Sequence, residues 1–180
     1  ALAERTVTLN GLSKSMAMTG WRIGWAVAPG DDGALARAMT RLQSQMTSGI
    51  PTFLMPAATR AVEAQPVESP RMRTVFAERA GLVAGLLEEI ERFRVIPPSG
   101  AFYAFPDVSG CFGRRSPGGR TIDSSASFAE GLLEEAEVAV VAGDDFGEVA
   151  RNHVRISFAC SESQIRSGVG RIADWVESLV

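Results

Sequence analysis

The longest periodic pattern in the chain lies near its middle and constrains the fold more than any other feature. From Met72 to Ile90, apolar residues recur at spacings of three and four, which is typical of a helix with one buried face. Strand-like and helical runs alternate before this helix, and short strand-like runs predominate after it. The sequence therefore predicts an α/β protein with three parts: the end of one α/β domain (residues 1–66), a linking helix (67–92) and a small C-terminal α+β domain (93–180).

Hydrophobic periodicity and turn residues predict the elements on either side of this helix. In the first part we expect two strands and two helices, at residues 6–9, 21–28, 33–46 and 52–64. Residues 65–70 contain two prolines and are predicted to form a hinge. In the last part we expect strands at 93–96, 101–105, 138–141 and 154–158, a loop at 110–120, a helix at 124–135, and a terminal helix capped by Ser161 and Gln164.

Composition narrows the classes of function. Hydrophobic residues make up 46% of the chain and charged residues 22%, which favours a folded domain with a buried core. The net charge of −3 argues against broad binding to nucleic acid or to an anionic membrane. No apolar run is long enough to span a bilayer and no leader opens the chain, so a cytoplasmic protein is expected. Two separated cysteines and a single histidine predict no metal site.

Lys14 is the only lysine among 18 Lys and Arg residues. In a chain that uses arginine almost everywhere, a retained lysine indicates a position where arginine cannot substitute. A guanidinium stays protonated in proteins, whereas an ε-amine can lose its proton and attack a carbonyl. Lys14 is therefore a candidate for covalent catalysis. The alternative is a surface lysine in a glycine-containing turn.

The residues around Lys14 carry a more specific signal. Ser13-Lys14 is followed, after three residues, by Met18-Thr19-Gly20-Trp21-Arg22 and then by Gly24. This run closely resembles the lysine signature of the class I/II, fold type I, aminotransferases that depend on pyridoxal 5′-phosphate (PLP), most closely those of the aspartate aminotransferase type. The resemblance implies that the chain is the end of the PLP-dependent transferase large domain plus the small C-terminal domain.

The same resemblance implies roles for two of these residues. Lys14 would hold PLP as an imine and pass a proton during the reaction, because PLP serves as an electron sink and needs a protein group to move protons. Arg22 would bind the cofactor phosphate, since a planar guanidinium can donate to it bidentately. Ser13 could add a hydroxyl contact, or it could simply permit close packing.

Arg155 lies within a strand-like run, where a charged residue among β-branched neighbours needs an anionic partner or an exposed edge. The run resembles the segment in which these aminotransferases place the arginine that binds the substrate α-carboxylate. The stretch from Pro98 to Tyr103 resembles their P-x-G-A-F-Y motif, in which the aromatic lies near the active-site mouth, although an aromatic such as Phe102 in a strand is more often a core residue. At the P-G-x-x-F-G turn of the family this chain has Ala142 in place of proline.

The resemblance extends from Thr6 to Leu179 but corresponds to only about the second half of a family member, so we expect a fragment that is inactive alone. It implies a whole protein that transfers an amino group between an amino acid and a 2-oxo acid as a homodimer. Residues 44–51 resemble a segment that reaches the neighbouring subunit. A PLP-dependent C–S lyase and the ligand-sensing half of a transcription regulator stay open as alternatives.

Overall fold

After a 3-10 turn at Ala3–Arg5, the chain forms a pair of antiparallel strands. In a computed structural model, which describes residues 2–30 and 32–180, β1 (Thr8–Gly11) pairs with β2 (Gly24–Val27). Both strands start later than predicted, and a 3-10 turn at Thr19–Trp21 accounts for the later start of β2. The described residues divide into two compact units, Ala1–Arg73 and Thr74–Val180.

Three helices accompany the strand pair: α1 (Leu12–Ser15), α2 (Ala34–Met46) and the beginning of α3 (Met55–Glu88). The predicted helix at residues 33–46 is confirmed as α2. A small core holds the first unit together; its buried members are Leu12, Ile23 and Ala61, with Met16, Met18, Leu54 and Ala58 partly buried beside them.

Many large apolar side chains of this first unit are exposed. They include Leu9, Trp21, Trp25, Val27, Leu35, Leu42, Met46, Ile50, Phe53 and Met55. On α2, apolar residues at helical spacing are among them, with Leu42 61% and Met46 69% exposed. Surface of this kind on a folded protein is typical of an interaction site.

The predicted hinge at residues 65–70 is wrong, because α3 runs through both Pro66 and Pro70 without a break. Each proline removes one backbone N–H from the helical hydrogen bonds and crowds the carbonyl four residues earlier. The two prolines are four residues apart and therefore lie on one face of the helix. Both are exposed, so the carbonyl groups that lose their partners can bind water instead.

The second unit combines small sheets with two further helices. Its elements are β3 (Tyr103–Ala104), β4 (Arg114–Arg115), β5 (Thr121–Ile122), α4 (Ser125–Ala136), β6 (Val141–Ala142), β7 (Val154–Ser157) and α5 (Glu162–Glu177). The main sheet has the order β3-β7-β6 with antiparallel neighbours, and β4 and β5 form a separate pair.

Two predictions for this unit are wrong in detail. Residues 93–96 form no strand; Arg94 makes a single bridge to Asp107. Residues 110–120, predicted as a loop, contain β4, which pairs with β5 across a glycine-containing turn. By contrast, the predicted cap of the terminal helix is confirmed, because Ser161 and Gln164 form a reciprocal capping box at the start of α5.

The core of the second unit is much larger than that of the first. Phe128 of α4 and Phe158 are fully buried, and the ring of Phe128 meets that of Trp175 edge-on at 5.2 Å between centroids. Each buried side chain of this size contributes roughly 1.5–3 kcal/mol to folding. One face of the main sheet therefore packs against a well-formed hydrophobic core.

Candidate functional site

The loop that carries Lys14 is closed at its base by backbone contacts between β1 and β2. Gly11 lies opposite Gly24 in the strand register, and the N–H of Leu12 donates to the carbonyl of Ile23 at 3.1 Å. A Cβ on Gly11 would lie 2.9 Å from the Ile23 oxygen, and one on Gly24 would lie 3.0 Å from the Asn10 oxygen. Both positions therefore need glycine for the strands to approach this closely.

Lys14 is the third residue of α1, one turn above this closure. The Met16 N–H donates to the Leu12 carbonyl at 3.1 Å, and the Ser15 hydroxyl donates to the Gly11 carbonyl at 3.2 Å. Leu12 is fully buried, whereas the side chain of Lys14 is exposed. The short helix is therefore anchored from below and presents the amine at the surface of the unit.

Arg22 ends the same loop in an unusual backbone conformation. Its φ of 55° and ψ of 42° are left-handed, which costs a non-glycine residue about 1–2 kcal/mol. Its Nη1 donates to the Thr19 carbonyl at 2.7 Å, so the guanidinium is held against its own loop. A strained residue retained at such a place motivates a hypothesis of function.

The loop thus presents a primary amine and a guanidinium from one hydrogen-bonded segment. This donor set fits a molecule that carries both a carbonyl and a phosphate, since the amine can bond to the carbonyl carbon and the guanidinium can pair with the phosphate. Ser13 is half-buried next to Lys14. Within residues 2–30 and 32–180, no three His, Cys, Asp or Glu side chains are grouped closely enough to hold a metal ion.

Arg155 lies in the second unit, on the central strand of the main sheet. It is opposite Val141 in the register of β6 and β7. Its Cζ lies 4.5 Å from the centroid of the Tyr103 ring and 4.9 Å from that of Phe146. Arg155 is therefore not on an edge strand, which was the alternative explanation for a charged residue in a strand. Two aromatic rings hold its guanidinium.

Strand alternation explains the contact with Tyr103. Tyr103 pairs with Ser157, and Ser157 is two residues after Arg155 and so on the same face. The opposite face carries Val154 and Ala104, which are buried in the core. The sheet therefore directs its polar and aromatic side chains to one side and its aliphatic ones to the other.

Phe146 reaches Arg155 from a 3-10 turn, Gly143–Phe146, that follows β6. The hydroxyl of Ser125, which is fully buried, accepts from the N–H of Gly143 at 3.1 Å and of Asp144 at 3.4 Å. It donates in turn to Asp144 Oδ2 at 3.3 Å. The first residue of α4 thus fixes the turn that positions Phe146.

Two features explain how this turn keeps its shape without the proline of the family motif. Ala142 has φ −62°, which is the value that a proline ring would impose. At Gly143 any Cβ would overlap the carbonyl oxygen of Ala150. The neighbouring segment therefore packs directly onto the backbone of the turn.

His153 is half-buried and stacks on Phe105 with 5.0 Å between ring centroids. Asp107 forms a backbone bridge with His153. Burial alone would raise the pKa of Asp107, but hydrogen bonds from the side chain and backbone of Ser109, with the charges of His153 and Arg94, bring this pKa below its ordinary value. This carboxylate is therefore held in its charged form beside the sheet.

Sequence reasoning placed Arg155 but missed the residues that hold it. Tyr103 and Phe146 were visible in the quoted motifs, yet only the pairing of β3 with β7 and the fold of the turn bring them to the arginine. The role of Ser125 left no signal in the sequence. Phe102 is half-buried and packs 5.8 Å from Phe76 between ring centroids, as a residue bordering the core does.

Comparison with known proteins gives a consistent result. Residues 2–172 match the family described as aminotransferase class I and II. An aspartate/prephenate aminotransferase from Cereibacter sphaeroides is 42% identical over 171 residues, which is 95% of this chain and 42% of that protein. An aspartate aminotransferase from Streptomyces avermitilis is 38% identical over 171 residues, covering 95% of this chain and 40% of that protein.

Solved structures agree with these relatives. The crystal structure of an aspartate aminotransferase from Rhizobium meliloti matches with a TM-score of 0.87 and 38% identity, covering 99% of this chain and 44% of that chain. An aromatic aminotransferase from Pyrococcus horikoshii matches with a TM-score of 0.84 and 33% identity, covering 98% and 44%. The chain spans well under half the length of these relatives.

Proposed function

Because the chain belongs to the family of class I and II aminotransferases, we propose that the whole protein is a PLP-dependent aminotransferase that moves an amino group between an amino acid and a 2-oxo acid. The observation that carries this proposal is the loop between β1 and β2. A single closed segment presents both Lys14 and Arg22, the amine and the cation that such a cofactor requires.

Lys14 would hold the cofactor through a C=N bond between its Nζ and the cofactor's carbonyl carbon, with the carbonyl oxygen and the two amine protons leaving as water. PLP, when bound, supplies an electron sink for the negative charge that develops on the substrate Cα. The protein must then supply the group that moves the proton of the substrate Cα. Once the substrate amine has replaced its Nζ on that carbon, Lys14 would be free to take the proton from the substrate Cα and to deliver it to the cofactor's former carbonyl carbon.

Arg22 would hold the phosphate end. One of its N–H groups donates to the Thr19 carbonyl, and a guanidinium carries five such donors in a rigid fork. The hydrogen bond to its own loop orders the side chain before the cofactor arrives. A phosphate dianion bound there would be fixed at a set distance from the amine of the same loop.

Arg155 would bind the α-carboxylate of the substrate. A planar guanidinium pairs with a carboxylate through two parallel hydrogen bonds, which also sets the orientation of the Cα–H bond. We propose an aspartate-type amino acid as the amino donor. The names of the relatives from Cereibacter sphaeroides and Streptomyces avermitilis support this choice.

The same names favour transamination over the C–S lyase and the regulator half that the sequence left open. A homodimer is proposed as the working form, and the exposed apolar side chains of Ala1–Arg73 support further association of that unit. The cytoplasmic location stays a prediction. In the part of the chain that the structure describes, no helix combines the length and hydropathy needed to cross a membrane.

The cofactor lysine can be identified chemically. The whole protein is incubated with PLP, reduced with sodium borohydride and digested, and the labelled peptide is mapped. We expect the label on the peptide that contains Lys14 and its loss in Lys14→Arg, which keeps the charge but cannot form the bond. A label on a lysine elsewhere in the whole protein would contradict the proposal.

A second assay addresses the length of the chain. Since this chain spans about 42% of the relative from Cereibacter sphaeroides, we propose that the 180 residues alone turn over little or no substrate. Transaminase activity of the isolated chain comparable to that of the whole protein would show that this expectation is wrong.

A further inference from the structure

Among residues 2–30 and 32–180, the guanidinium of Arg155 contacts aromatic rings and forms no ion pair with a carboxylate. The Tyr103 and Phe146 rings lie 4.5 Å and 4.9 Å from its Cζ. A cation over an aromatic ring is attracted by the negative charge of the ring face. Unlike a carboxylate partner, a ring leaves the hydrogen-bonding edges of the guanidinium available for another anion.

Phe146 is held for this contact by two sets of interactions. Its backbone belongs to the turn that Ser125 fixes through hydrogen bonds to Gly143 and Asp144. Its ring meets that of Phe105 edge-on, with 5.6 Å between centroids and an interplanar angle of 87°. Phe105 in turn stacks on His153. The ring that contacts Arg155 is therefore itself restrained from both sides.

The contacts with Phe105 and Arg155 leave the Phe146 side chain 42% exposed. In this chain it is therefore not a buried core residue. The guanidinium of Arg155 is one of the groups that its ring contacts directly.

We propose that Phe146 is a positioning residue for Arg155, one that holds the guanidinium plane ready for the carboxylate of an amino-acid substrate. The proposal rests on the carboxylate-binding role of Arg155 given above. A flexible arginine loses conformational freedom when it binds a ligand, and an arginine already stacked on a ring loses less. Phe146 thus raises affinity without touching the substrate.

The test uses the whole protein loaded with PLP and three substitutions. Phe146→Leu keeps an apolar side chain but removes the ring, Phe146→Tyr keeps the ring, and Val149→Ala is a control at a fully exposed neighbouring position. The probe is succinate, a plain dicarboxylate, and its Kd is measured by calorimetry. KM and kcat for aspartate are measured beside it.

We expect Phe146→Leu to raise the Kd of succinate and the KM of aspartate about three- to tenfold, in line with the strength of a cation–π contact. kcat should change little, because the carboxylate contact is the same in the ground state and in the transition state. Phe146→Tyr and Val149→Ala should behave like the unsubstituted protein. A Kd for Phe146→Leu within twofold of the unsubstituted value would overturn the proposal.

Should Phe146→Leu fail to fold, pentafluorophenylalanine at position 146 decides the question, because it keeps the shape of the ring but withdraws the negative charge from its face. The same rise in Kd supports the proposal, and an unchanged Kd overturns it. Arg155→Lys separates the two hypotheses. If Arg155→Lys binds succinate as tightly as the unsubstituted protein does, the carboxylate-binding role of Arg155 is wrong, and so is the positioning proposal that rests on it. If Arg155→Lys weakens the binding of succinate but the variants at Phe146 do not, only the positioning proposal is wrong.

Discussion

Leu12 and Ile23 hold the two ends of the reactive loop together. The N–H of Leu12 donates to the carbonyl of Ile23 at 3.1 Å, and both side chains are buried in the same small core. The loop between them contains Lys14 and Arg22. The spacing of these two functional groups is therefore set by backbone closure and burial beneath the loop.

This closure should be sensitive to a single methyl group at Gly11. In Gly11→Ala the new Cβ would lie 2.9 Å from the Ile23 oxygen, and the strands would have to separate. We expect a loss of roughly 1–3 kcal/mol in the free energy of unfolding and weaker PLP binding, measured by denaturant titration and by cofactor absorbance. Gly81→Ala, on α3 with open space around it, is the control and should be neutral or slightly stabilising.

Replacing Arg22 by lysine should weaken the binding of PLP while leaving the fold intact. Lysine keeps the positive charge but loses the fork that donates two parallel hydrogen bonds. Hydrogen bonds to charged groups contribute about 1.5–3 kcal/mol each, so the loss of one predicts at least a tenfold rise in the Kd of PLP. A fluorescence titration of the whole protein with PLP measures it. An unchanged Kd would remove the phosphate role from Arg22.

The sequence predicted the fold class and the family, and both are confirmed. It did so because the Lys14 segment is a local motif whose residues act within one loop. What it could not predict depends on pairing between distant segments. The contact of Tyr103 with Arg155 exists only through the register of β3 on β7, and strands of two residues leave almost no periodic signal.

The error at Pro66 and Pro70 has a different cause. Turn rules treat two nearby prolines as a break, yet α3 continues through both of them on an exposed face, where the unpaired carbonyl groups can bind water. The spacing of four residues was visible in the sequence, but the exposure of that face was not.

The roles of Lys14, Arg22 and Arg155 stay predictions.

The turn before Arg155 should fail when Gly143 acquires a side chain. In Gly143→Ala the Cβ would overlap the Ala150 carbonyl oxygen, which is backbone and cannot rotate away. We expect a loss of about 3 kcal/mol or more in the free energy of unfolding. Urea titration of the whole protein measures it. Gly170→Ala, at an open position in α5, should be harmless. Equal stability of the two variants would show that the turn can move.

The stability of the second unit should decline in acid because of Glu135. Its carboxylate accepts from the Ser116 hydroxyl at 2.6 Å, the Trp175 Nε1 at 3.1 Å and the Gly118 N–H at 3.2 Å. Burial alone would raise the pKa of Glu135, but these hydrogen bonds and the charge of Arg120 lower it from the ordinary 4.5. The charged form is therefore favoured by folding.

A carboxyl group whose pKa is lowered by folding stabilises the protein above its ordinary pKa and ceases to do so as the pH falls through the folded value. We expect the free energy of unfolding to be level above about pH 5 and to fall below pH 4.5. In Glu135→Gln this acid-dependent part should be smaller, whereas Glu177→Gln, an exposed control on α5, should retain it. Parallel pH profiles for all three proteins would contradict the assignment.

The uneven burial in the chain has a consequence for how its parts fold. Among the described residues, the core under the Lys14 loop has three buried members, while the core of Thr74–Val180 includes whole aromatic rings. Regions with so little buried surface open locally at low free energy and exchange their amide hydrogens quickly. A molecule bonded to Lys14 and paired with Arg22 would bind the closed loop more tightly than the open one, and would so shift this equilibrium by mass action. PLP would then act as a folding ligand as well as a reagent, and its arrival would slow hydrogen exchange in the segment that captures it.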